Sequence, residues 1–120
     1  MKKLVFILGL ITATASHAGP FADVAKAKFE SEMMQAIQLT DMSNTEKSKA
    51  ISRLPAAQKT LREVVRDGLN DKKSCLKIKK DFVNEQKKIM NTEKIDDRDF
   101  AATSLTAMGD YIATVCLDMK

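Results

Sequence analysis

Ala101-Ala102-Thr103-Ser104-Leu105-Thr106-Ala107-Met108-Gly109-Asp110-Tyr111-Ile112-Ala113-Thr114-Val115-Cys116-Leu117-Asp118-Met119 is the stretch that decides the fold. Ala101, Leu105, Met108, Ile112, Val115 and Met119 recur at intervals of four and three, with Cys116 beside them. That spacing puts an apolar seam along one side of a helix and cannot be laid on a strand, whose side chains alternate. Asp97 or Asp99 can cap the start of this helix. The only other cysteine, Cys75, lies upstream in a second helical pattern that runs to about Met90 and opens at Asn70-Asp71. Its apolar arc holds Cys75, Leu76, Ile78, Phe82, Val83, Ile89 and Met90.

Two helices joined by a short connection pack antiparallel, and paired positions then sum to a constant. Pairing Cys75 with Cys116 centres the turn between Ile95 and Asp96, within the polar stretch that separates the two patterns. The same register puts Phe82 opposite Gly109 and Ile78 near Ile112 or Ala113. A disulfide is therefore expected to pin the open end of a C-terminal helix hairpin.

Upstream, the same helical period recurs. A first helix is expected from about Phe21 to Thr40, with Ala22, Ala25, Phe29, Met33 and Ala36 on one face. Ser43 with Glu46 three residues on is a capping box for a short second helix. Pro55 ends that helix and opens a third, whose face is Ala57, Leu61, Val64 and Val65 and whose terminator is Gly68. The expected fold is thus all-α, a small four- to five-helix bundle with one intramolecular disulfide.

The chain opens with Met1-Lys2-Lys3, then the apolar run from Leu4 to Ile11, then small residues to Ser16-His17-Ala18. This order is that of a cleavable bacterial secretory signal, too short and wrongly flanked for a membrane span. A cut after Ala18 is expected, leaving 102 of the 120 residues, 19–120, as a single helical domain. A second small-x-small pattern ends at Ala15. Export to the periplasm, or secretion, puts Cys75 and Cys116 where thiols pair. No later run approaches the ~20 apolar residues of a span, so the expected mature chain is soluble.

Charge narrows the function. Loss of Lys2 and Lys3 leaves 18 basic residues against 16 acidic, so the net charge falls from +4 to +2. That balance, with export, argues against a nucleic-acid partner. The one histidine, His17, leaves with the signal, which removes imidazole from general base work, haem ligation and zinc binding. With the thiols paired and no G-x-S-x-G or S-x-x-K setting, no catalytic residue is expected and the chain is not read as an enzyme. Six mature methionines (Met33, Met34, Met42, Met90, Met108 and Met119) form no M-x-x-M or M-x-M cluster and suit core filling better than copper. Asp96-Asp97-Arg98-Asp99 lacks the alternating ligands and glycine bend of a calcium loop. No metal or cofactor is expected.

Two surface features remain. Lys73, Lys77, Lys80, Lys87 and Lys88 fall on about a third of the fourth helix's circumference and form a basic ridge, a candidate partner-binding surface. Met34, Ile37 and Leu39 exceed the width of one buried stripe on the first helix and are candidates for an exposed apolar contact, including a homodimer. A rigid, disulfide-pinned helical body fits a dedicated protein binder, such as an immunity or inhibitor protein against a cell-envelope-targeted toxin or hydrolase. The alternative is a small periplasmic holdase chaperone or stress-response protein, which needs exposed apolar surface or conditional unfolding.

Overall fold

Helices begin and end here where the local chemistry of capping dictates. The computed structural model describes residues 5–92 and 97–120, with side chains described for 19–92 and 97–120. Helix α1 covers Val5–Gln38, but Gly19 within it has φ 66° and ψ 166°, so the segment bearing the expected face starts at Pro20. Helix α2, Asn44–Ser52, opens on the capping box. Ser43 Oγ accepts from Glu46 N at 3.2 Å, and Glu46 Oε1 accepts from Ser43 N at 3.0 Å. Helix α3 is Leu54–Asn70, with Pro55 in its first turn, where no intrahelical donor is required. Helix α4 is Cys75–Thr92, and helix α5 is Arg98–Met119. Asp97 caps α5 by accepting from Phe100 N at 2.8 Å. Among the described residues there are helices and no strands. The expected turn centre, Ile95 and Asp96, lies outside the described residues.

Two boundaries differ from expectation. Gly68 does not terminate α3 but lies buried in its last turn. The helix ends in a Schellman motif, with Lys73 N donating to Gly68 O at 3.0 Å and Lys72 N to Leu69 O at 2.9 Å. The left-handed residue that this motif demands is Lys72, with φ 64°. Asn70 and Asp71 consequently belong to the end of α3. Ser74 opens α4, its Oγ accepting from Lys77 N at 3.1 Å and its carbonyl from Ile78 N at 3.0 Å.

The core collects Ala25, Phe29 and Met33 from α1, Leu54, Leu61 and Val65 from α3, Ile78 from α4, and Ile112, Val115 and Cys116 from α5. Helix α5 is central, packing against α1, α3 and α4. A single seam therefore understates its burial: Ser104, Ala107, Gly109 and Tyr111 are buried as well. The Tyr111 ring meets Phe29 at 5.3 Å between centroids, tilted by 57°, and its hydroxyl accepts from Arg62 Nη1 at 3.0 Å. Buried Gln58 bridges α3 to α1 by donating to Glu30 Oε2 at 3.1 Å. By length and composition α5 is also the one described helix apolar enough to cross a membrane, contrary to the expectation that no such run exists. Here Leu105, Ile112 and Val115 are buried against the other helices, while Leu117 is 43% exposed.

The disulfide is formed, joining Cys75 at the start of α4 to Cys116 near the end of α5 across 5.8 Å between Cα atoms. Further along α4, Lys79 reaches Asp110, and Val83 reaches Gly109. The residue facing Gly109 is Val83 rather than Phe82, which packs on the main core instead. Of the expected α4 arc only Ile78 is fully buried, while Leu76 is 66% and Ile89 42% exposed. The arc is wider than the face that α3 and α5 together cover.

Candidate functional site

Helix α4 carries most of the charged residues singled out from the sequence, and its cap at Ser74 sets which way they point. Lys77, at the i−4 position, donates to Asp81 Oδ1 at 2.9 Å, and Lys73, from the turn before the helix, donates to Oδ2 at 3.0 Å. The Lys77 and Lys73 ammonium groups hold the Asp81 carboxyl below the ordinary carboxylate range. Two of the five ridge lysines are thus spent on one acid. Lys80, Lys87 and Lys88 stay exposed and have no ion-pair partner among the described residues.

Beside this ridge lies a groove of about 330 Å³ between α4 and α5. Val83, Lys87 and Met90 form one wall, and Ala102, Leu105 and Gly109 form the other wall and the floor. At the floor α4 approaches α5 closely because Gly109 has no side chain: a Cβ there would stand 3.1 Å from Val83 Cγ2 and 3.3 Å from Lys79 Cε. Leu76, Val83 and Met90 are seven residues apart, as are Lys80 and Lys87, so the two sets run side by side along one face of α4. At one edge Lys79 approaches Asp110 Oδ1 at 3.4 Å, and Lys28 of α1 approaches Oδ2 at 3.8 Å. The result is an apolar trough with a cationic rim.

The expected apolar contact on α1 is not assembled. Met34 is 42% and Leu39 87% exposed, but Ile37 is buried, correcting its placement on the surface. Ile37 lies one turn before the chain folds back, and α2 packs against α1 there, so a side chain pointing towards that turn is enclosed. Leu39 instead borders an open cleft of about 550 Å³ between the end of α1 and the start of α5, whose charged residues are Glu32, Asp97 and Asp99.

Sequence reasoning assigned exposed Leu76 to the core, and it assigned Val83 and Met90 there as well and so missed the trough. Its signal was present in Ala102 and Gly109, small residues seven apart on the facing helix, which leave α4 residues without a filler. Nothing among the described residues forms a group of three or more His, Cys, Asp or Glu suited to a metal ion. The other lowered carboxyl, Glu46, is explained by hydrogen bonds from the Ser43 backbone and hydroxyl. No family model matches the chain, and no curated protein or solved structure matches it either.

Proposed function

We propose that this chain is an exported, non-enzymatic protein-binding module of the bacterial periplasm, of the kind that neutralises a cell-envelope-targeted toxin or hydrolase as an immunity or inhibitor protein. In this reading the signal ends at Ala18, and α4 and α5 form an antiparallel hairpin. The outer trough of that hairpin receives the partner. The carrying observation is the juxtaposition of exposed Lys87 with Val83 and Met90 over a floor of Ala102 and Gly109, with exposed Lys80 and Leu76 further along the same helix. An apolar trough between two helices suits an amphipathic helix, and the cationic rim selects one with acidic flanks. Charge complementarity of this type mainly sets encounter rate and specificity, while the apolar stripe supplies affinity.

The test is a pull-down from native periplasmic extract with oxidised mature protein, in parallel with a Lys80→Glu/Lys87→Glu variant, read by mass spectrometry. One stoichiometric partner retained by the parent and weakened at least about tenfold by the variant supports the reading. A partner held equally by both places the contact elsewhere on the surface. Helical content and unfolding midpoint should match between the two proteins, because both lysines are exposed.

One observation favours the holdase alternative: Phe21, Val24, Leu39 and Leu117 are exposed large apolar residues outside the trough. Under that reading the extract yields many unrelated clients, and the charge-reversed variant retains them.

A further inference from the structure

The break in α1 coincides with the expected cleavage point, and a carboxylate waits beside it. Gly19 interrupts the helix with φ 66° and ψ 166°, and Pro20 is the first residue of the segment that follows. Asp118, in the last turn of α5, accepts from Ala22 N at 2.5 Å through Oδ2. Ala22 is the third residue of that renewed helix, so Asp118 plays the part of an N-cap side chain supplied from 96 residues away. A Cβ on Gly19 would sit 2.9 Å from Asp118 Oδ1 and nearer still to Cγ and Oδ2. The carboxylate therefore fills the space that any other residue's side chain would need.

We propose that Asp118 is the receptor for the α-ammonium group released when signal peptidase hydrolyses the Ala18–Gly19 bond. Water adds across that bond, its hydroxyl going to the Ala18 carbonyl carbon and its proton to the Gly19 nitrogen, which is cationic at neutral pH. Once the bond is cut, the amino group is free to turn about the Gly19 Cα–C bond. Because glycine has no Cβ, that rotation carries the ammonium into the Cβ position, within hydrogen-bonding reach of both Asp118 oxygens. One carboxylate then holds the Ala22 N–H and the new N-terminus together, at the start of the Pro20 segment, where that segment's dipole favours an anion. The chain gains a clasp between the start of α1 and the end of α5 only after its leader is gone. Cys116, two residues before Asp118, already fastens the same end of α5 to α4.

This inference rests on the export part of the proposed function and is independent of any partner. The exported protein should have the intact mass of a chain starting at Gly19. A start at Ser16, or retention of residues 1–18, overturns it. The clasp is tested separately on oxidised protein starting at Gly19, with its amine free or acetylated, in the parent chain and in Asp118→Asn. Acetylation should lower the parent's midpoint by about 2–5 °C and the variant's by less than half as much. An equal loss in both overturns the ion pair. If Asp118→Asn does not fold, the parent alone decides: the acetylation penalty should shrink between low salt and about 1 M NaCl, and a salt-independent penalty overturns the clasp.

Discussion

Ser104 is buried in the middle of α5 and its hydroxyl has no hydrogen-bond partner among the described residues. Desolvating a hydroxyl without a partner is a cost, and alanine is the better helix former at that site. Ser104→Ala should raise stability by about 0.5–1 kcal/mol in urea unfolding, and a loss would show that the hydroxyl has a partner after all. Gly68 presents the opposite case. A Cβ there would lie 2.5 Å from Ile78 Cγ1 and 2.7 Å from Cδ1, in the contact that lets α3 approach α4. Gly68→Ala gains about 1 kcal/mol of helix propensity but overpacks a buried isoleucine at about 1–3 kcal/mol. The expected result is net destabilisation, with a lower urea midpoint than the parent.

At the scale of elements, the turn between α3 and α4 uses a left-handed residue that is not glycine. Lys72 holds φ 64° to complete the Schellman motif, at a cost that glycine would not bear. Lys72→Gly should therefore stabilise the protein by about 0.5–1 kcal/mol, where glycine substitution of an exposed helix residue would do the reverse. Asp81 organises the first turns of α4 through Lys77 and Lys73. Its folded-state carboxyl lies below the ordinary value, so its contribution is complete above the unfolded-state value near 3.8 and is lost as pH falls through the folded-state value. Asp81→Asn should lower the thermal midpoint at neutral pH, and its difference from the parent should close below about pH 4. High salt should narrow it too, since the pair is partly exposed.

For the whole molecule, the strongest single constraint is the Cys75–Cys116 bond, closing a separation of 41 residues. On the loop-entropy account such a closure is worth about 4 kcal/mol. A domain near 100 residues has about 5–15 kcal/mol in all. Reduction should move the urea midpoint down by a large fraction of its value without abolishing helical content under native conditions. Cys116 is fully buried against the core, so replacing both cysteines with alanine should cost more than reduction alone.

The helical period of residues 101–119, the capping box at Ser43 and the Cys75–Cys116 pairing were all legible in the sequence. Each depends on neighbours a few residues apart or, for the bond, on there being two cysteines in the sequence. The faces of α1 and α3 were legible too, because each buries one stripe. What escaped was set by distant contacts. Gly68 read as a terminator because glycine favours left-handed turns, yet Ile78, from another helix, is what requires it to be small. Ile37 read as surplus until the chain folded back over it. Leu76, Val83 and Met90 carry the period of a buried arc, yet Val83 and Met90 line an open trough with Ala102 and Gly109, and Leu76 lies exposed beyond it. The sequence alone thus determined the helices, the cap at Ser43 and the covalent bond, because these depend on near neighbours or on there being two cysteines to pair. Tertiary structure decided which apolar residues stay uncovered, because that depends on how many helices surround each one.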